Sequence, residues 1–173
     1  SALVSNVVTR YNRRLRSQNM LDFDDLLIHT VKLLIDHPDV RRIVSERWTH
    51  LFVDEFQDSS LLQLQLVFLL FCGHHDMAGP KQQPPVPSVG RFITIVGDPN
   101  QSIYSWRFAC STIFDTFFAA FQQSLINVQR VRLTQNYRST QSVVSAAAAV
   151  LGSGARNAAT GKLWTSKGCG NAV

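Results

Sequence analysis

The order of elements predicts an α/β fold built on a parallel sheet. Three observations carry that prediction. Apolar, strand-like stretches recur at 48–53, 91–96 and 128–133; helical patterns alternate with them; and each stretch runs into polar or charged residues. Alternation of this kind favours parallel pairing and brings reactive groups to the carboxyl ends of the strands. No internal repeat interrupts the pattern.

Residues 2–19 read as a basic helix with Arg10, Arg13, Arg14 and Arg16 on a solvated side, a wet face that could also meet a polyanion. Asp22 offers a helix N-cap, with Asp25 three residues later near the positive helix end. Leu26, Leu27, Thr30, Leu33 and Leu34 follow at helical spacing until His37-Pro38 stops the pattern, and Pro38 restarts a short helix to about Trp48. Leu51, Phe52 and Val53 in succession predict a buried strand. Ser59 or Ser60 can cap the next helix, whose run from Leu61 to Phe71 leaves little polar surface.

Between Cys72 and Gly90 the composition turns to Gly, His, Gln and Pro, which predicts a surface insertion over 73–90. Arg91 to Val96 is the clearest strand, β-branched and closed by Gly97. A helix is expected near Thr112 to Phe121, a third strand at Val128 to Leu133, and an alanine-rich helix from Gln141 to Leu151. The tail from Gly152 has no convincing element.

A chain of 173 residues suits one ordinary domain or pieces of two. A hydrophobic fraction of 45% beside 17% charged residues excludes a disordered chain. No uninterrupted apolar run is long enough to cross a bilayer, and the N-terminus lacks the order of a secretory signal, so an intracellular protein is expected. Net charge +5 and a pI near 9.5 are compatible with a polyanionic partner. Cys72, Cys110 and Cys169 are scattered and odd in number, which fits reduced thiols rather than a disulfide framework or metal cluster.

The chemistry is concentrated where strands end. Leu51-Phe-Val-Asp-Glu-Phe-Gln-Asp58 runs an apolar strand into two adjacent carboxylates, an amide and a third carboxylate. Phosphoryl transfer to water needs neutralised phosphates, a positioned base and a sensor of the γ-phosphate. Asp54 suits a metal, and Glu55 suits the attacking water, since neighbours leaving a strand can take different directions. Asp58 reads better as a cap of the following helix. Gly97-Asp-Pro-Asn-Gln-Ser-Ile-Tyr-Ser-Trp-Arg107 adds Gln101, an uncharged partner for a phosphate oxygen or its water. Tyr104 and Trp106 beside Arg107 suit base stacking and phosphate pairing; both rings could instead fill the core. At Asn136-Tyr137-Arg138 the guanidinium of Arg138 suits a γ-phosphate, although Ser139 or Thr140 there could simply cap a helix.

Together these strings resemble a superfamily 1 helicase of the UvrD/Rep/PcrA group. Asp22-Phe-Asp-Asp-Leu-Leu27 matches a signature ahead of motif II, Asp54 to Asp58 resembles motif II, Gly97 to Arg107 motif III, and Leu133 to Thr140 motif IV. Phe56, the phrase Thr94-Ile-Val-Gly-Asp98 and the long gap before it look most like the fungal anti-recombination helicases. The resemblance implies a RecA-like P-loop NTPase fold. Residues 1–20 would end a helical insertion subdomain, 21–135 would form the later part of the first motor domain, and 136–173 would begin the second. It also implies ATP and Mg²⁺ as cofactors, and 3′→5′ movement on single-stranded DNA and duplex junctions in repair or recombination. The expected location is nuclear in a eukaryote and cytoplasmic otherwise.

Carried over, Asp54 binds Mg²⁺, Glu55 is the general base, and Gln101 couples the γ-phosphate to DNA. Tyr104, Trp106 and Arg107 line the strand path; Tyr137 stacks on adenine and Arg138 contacts the γ-phosphate. Two departures stand out. The group usually has Gly after Trp-Arg, where this chain has Phe108. No Gly-x-x-x-x-Gly-Lys-Ser/Thr string exists, and Gly161-Lys162 followed by Leu163 is a decoy. An internal segment of a longer helicase is therefore expected, with a degenerate, non-catalytic DNA- or partner-binding relative as the alternative. A metal-dependent nuclease using Asp54, Glu55 and Asp58 is a third reading, short of ligands from other elements.

Overall fold

A computed structural model of the chain describes residues 2–72, 90–122, 127–151 and 164–168. The expected insertion, apart from Gly90, and most of the tail, Gly161-Lys162 and Cys169 included, lie outside the described residues. Helix α1 (Ala2–Ser17) buries none of its residues. Its tie to the next helix is the Tyr11 hydroxyl, which donates to Asp22 Oδ2 at 3.0 Å. Helix α2 (Phe23–Asp36) opens on the capping box expected from its sequence. The Asp25 N–H donates to Asp22 Oδ1 at 2.7 Å, and the Asp22 N–H donates back to Asp25 Oδ2 at 3.3 Å. The Asp25 N–H, and then the Tyr11 hydroxyl, hold the Asp22 carboxyl below its ordinary range.

Proline at the start of α3 (Pro38–Ser45) costs no hydrogen bond, because the first helical N–H groups have no partner within the helix. Neither α2 nor the apolar helix α4 (Leu61–Cys72) carries a basic residue in its last turn. Arginines from elsewhere complete both ends: Arg41 donates to the Leu34 carbonyl at 3.0 Å and Arg91 to the Phe71 carbonyl at 3.1 Å.

Strand β1 (His50–Val53) pairs in parallel with β2 (Phe92–Ile95), His50 opposite Phe92 and Val53 opposite Ile95. Helices α5 (Ile113–Gln122) and α6 (Gln141–Leu151) follow. The α/β character with parallel pairing is present, as two strands among the described residues. Alternation decides which face is buried. Leu51, Val53, Ile93 and Ile95 pack against a cluster of Phe56, Leu64, Phe68, Phe117 and Phe121. The opposite face stays open, with Phe52 72% exposed, so the expectation of a fully buried first strand is corrected. Helix α4 is apolar on all sides because it serves two clusters: Leu64 and Phe68 face the sheet and α5, while Leu69 joins Val31 and Leu34 of α2. Burial pushes the Cys72 thiol at its end up to about 12, which makes that cysteine an inert core group.

The third strand expected at 128–133 does not form. Residues 127–134 pair with neither strand, and Gln135 makes one isolated parallel bridge to Trp164. Alternating Arg and apolar residues satisfy a strand pattern, but a strand needs an edge to bond. Here Val128 alone reaches the core, Arg130 stacks on the Phe118 ring at 4.1 Å, and Val131 and Leu133 are exposed.

Candidate functional site

Both strands deliver their chain to the same edge. The Val96 N–H donates to the Val53 carbonyl at 2.8 Å and the Phe56 N–H to the Val96 carbonyl at 2.9 Å. Asp54 and Glu55 therefore leave β1 beside Gly97 and Asp98 leaving β2. Glu55 breaks the strand by adopting the left-handed conformation, φ 49° and ψ 40°. A non-glycine residue there costs about 1–3 kcal/mol and persists where its surroundings over-determine it. They do so here. Phe56 is fully buried, edge-on to Phe114 and Phe117, and Gln57 grips the Glu55 carboxylate.

Gln57 is the residue that sequence reasoning passed over as a mere polar amide. It is 3% exposed and spends both ends of its side chain. Nε2 donates to Glu55 Oε2 at 2.6 Å, and Oε1 accepts the Asp98 N–H at 3.0 Å. A backbone N–H must face oxygen, so the amide orientation is fixed and its nitrogen is committed to Glu55. The Gln57 carbonyl also accepts the Ser102 hydroxyl at 3.1 Å. This packing explains Gly97: a β-carbon there would run into Gln57 Oε1 and lie 3.0 Å from Phe56 N and Phe114 Cζ. The only advance signal for Gln57 was an uncharged amide two residues after Glu55.

Asp98 continues the chain of bonds. Its Oδ1 accepts the Asn100 N–H and its Oδ2 accepts Gln101 Nε2, both at 3.0 Å. Glu55, Gln57, Asp98 and Gln101 are thus one hydrogen-bonded series across the end of the sheet. Asp54 sits at its exposed margin, where its Oδ1 accepts the Glu55 N–H at 2.9 Å. Asp58, expected to cap α4, does not. Ser60 Oγ accepts the Gln63 N–H at 3.3 Å and Gln63 Oε1 accepts the Ser60 N–H at 2.8 Å, while Asp58 Oδ1 is buried without a partner.

Beyond Gln101 a 3₁₀ turn over Ser105–Arg107 presents the aromatic pair. Trp106 is 73% exposed, which removes the core alternative for that ring. Tyr104 meets it edge-on at 6.1 Å, and the Arg107 guanidinium lies 5.7 Å from the Tyr104 ring and 5.5 Å from the Trp106 ring.

The third expected contributor stands apart. Asn136 Oδ1 accepts the Arg138 and Ser139 N–H groups at 2.9 and 2.7 Å, the Lys167 ammonium donates to the Arg138 carbonyl at 3.1 Å, and Tyr137 donates to Gln135 at 2.7 Å. Thr140 begins α6 through its carbonyl, which accepts the Val144 N–H at 3.1 Å. Among the described residues no hydrogen bond or ion pair joins Tyr137 or Arg138 to Asp54, Glu55 or Gln101. The structure brings together acid and amide, and leaves the guanidinium on its own segment.

The UvrD/REP helicase N-terminal domain matches residues 1–122 of the chain, which include every member of this series. The chain belongs to the UvrD/REP helicase family. Among its relatives, "ATP-dependent DNA helicase UvrD1" of Mycobacterium tuberculosis is 36% identical over 172 residues, 98% of this chain and 20% of that protein. "ATP-dependent DNA helicase PcrA" of Leuconostoc citreum is 34% identical over 171 residues, again 98% of the chain and 20% of the relative. "ATP-dependent DNA helicase SRS2" of Saccharomyces cerevisiae is 36% identical over 135 residues, 78% of the chain and 10% of that protein. The UvrD/REP segment thus spans about a fifth or less of these relatives' length. Equal identity to the mycobacterial and yeast proteins does not single out the fungal branch.

Proposed function

We propose that this UvrD/REP segment is the water-activating part of an ATP-dependent DNA helicase that moves 3′→5′ on single-stranded DNA. The observation that carries the reading is the hydrogen-bonded series from Glu55 to Gln101 at the end of the parallel sheet. In this reading residues 21–135 belong to a RecA-like first motor domain, 1–20 end an insertion subdomain, and 136–173 enter the second motor domain. Repair or recombination is the proposed setting, and strands and duplex junctions the proposed substrates.

Glu55 acts as general base. One carboxylate oxygen is held by Gln57, which orients the group and leaves the other oxygen for a proton. Gln101 has its amide nitrogen committed to Asp98, so its oxygen is the end that orients water near the γ-phosphate. Tyr104, Trp106 and Arg107 hold the DNA strand on the same turn, one short segment away from Gln101. Asp54 offers an exposed hard carboxylate oxygen, which fits Mg²⁺, an ion that completes its shell with water and substrate phosphates. Bound MgATP would supply the scissile phosphate and its neutralisation. Arg138 and Tyr137 are assigned to the γ-phosphate and the adenine from the second motor domain, where closure of the lobes would bring them in. The glycine-rich phosphate loop is assigned to polypeptide outside this chain.

DNA-stimulated phosphate release tests the assignment. The 173-residue chain alone is expected to show none. A longer protein that carries it together with a Gly-Lys-Ser/Thr loop is expected to turn over ATP and to lose at least about a hundredfold with Glu55→Gln. Turnover by the chain alone that Glu55→Gln abolishes would refute the division of labour.

A further inference from the structure

Phe108 closes the 3₁₀ turn that carries Trp106 and Arg107, and the structure shows how it is held. Its backbone is left-handed, φ 65° and ψ 18°, a region that disfavours any residue with a β-carbon. The conformation is imposed by the turn, since the Phe108 N–H donates to the Ser105 carbonyl at 3.1 Å and the Ala109 N–H to the Tyr104 carbonyl at 3.2 Å. The ring gains no burial in return: it is 85% exposed. Strain combined with exposure is the reverse of what a structural phenylalanine would show, and strain of this kind gathers at ligand-binding positions.

We propose that Phe108 is an additional base-stacking residue, held out of the protein by the left-handed turn to receive a nucleobase of single-stranded DNA. The occupant follows from the company it keeps. Trp106, two residues away, is also exposed; Arg107 between them lies over aromatic rings, and no carboxylate among the described residues pairs with it. Exposed aromatic rings beside a guanidinium that no described carboxylate neutralises match a polymer of flat bases joined by phosphates. A glycine would satisfy the turn and stack on nothing. The inference rests on the reading of Tyr104, Trp106 and Arg107 as the strand path, and adds a stacking contact to it.

The test measures binding of a fluorescent thymidine oligonucleotide at low ionic strength together with thermal melting. Phe108→Gly is expected to raise the melting temperature, by relieving the backbone, and to weaken binding about tenfold. Phe108→Leu keeps the strain and the apolar bulk; it should melt like the parent yet bind as weakly as the glycine variant, and Phe108→Trp should restore binding. Unchanged binding by Phe108→Gly, or parental binding by Phe108→Leu, overturns the proposal. Trp106→Ala separates the two layers. If it weakens binding while Phe108 variants do not, only the role of Phe108 falls. If neither residue matters, or the parent binds no oligonucleotide, the strand-path reading falls and takes this inference with it.

Discussion

The two places where this chain gathers polar function are built differently. At the end of the sheet, Asp54 to Gln57 and Gly97 to Gln101 come from strands in register, and a buried amide fastens one to the other. At Gln135 to Ser139 there is no strand, only an Asn136 turn braced by Trp164 and Lys167. The first region is over-determined and can hold a strained Glu55. The second is held by a few mostly exposed bonds, and no hydrogen bond or ion pair among the described residues connects it to the first. Under the proposed function, a base and its water would need the first kind of scaffold, and a group delivered by closure could sit on the second.

The glycines of the two regions expose the difference most sharply. Gly97→Ala must displace Gln57 Oε1 and crowd Phe56 and Phe114, so a loss of about 3 kcal/mol is expected in a urea melt. Gly168, beside Lys167, has φ +71° and open space around it, so its alanine variant should lose only about 1 kcal/mol, from backbone strain. Equal losses would break the comparison. Next in size, Gln57→Leu orphans the Asp98 N–H and frees Glu55, and is expected to cost about 2 kcal/mol by the same measurement. Smallest is Asn136→Ala. Amide exchange at Arg138 and Ser139 should quicken about fivefold while the global unfolding midpoint stays put. A shift of the midpoint would mean that the second region is part of the cooperative core.

The legible parts of this molecule were those decided within a few residues. Asp22 and Asp25 announce a capping box because the partners lie three apart, and β1 and β2 announce themselves through apolar residues ending at Asp54 and Gly97. What was hidden depended on partners far along the chain. Gln57 matters because the Asp98 N–H arrives from 41 positions later, which no local pattern encodes. The segment 128–133 has a strand's composition, but composition supplies no edge to pair with. Phe52 read as core because three apolar residues stand in a row; a sheet covered on one face leaves every second one exposed. Asp58 is a local exception: Ser60, which the sequence also offers as a cap, takes α4 because Gln63 three residues on returns a bond to the serine N–H. The candidate site was half legible in the same sense: Asp54, Glu55 and Gln101 by type and place, the bonds between them not at all.

The central claim is that base and amide act as one unit through Gln57 and Asp98. A double-mutant cycle on DNA-stimulated phosphate release, in a protein that joins this chain to a Gly-Lys-Ser/Thr loop, tests it most directly, with Gln57→Leu and Gln101→Ala as the two changes. The account predicts that each alone lowers the rate about tenfold or more and that the double variant is little worse than the poorer single, because either change severs the same series. Losses that simply multiply would contradict it.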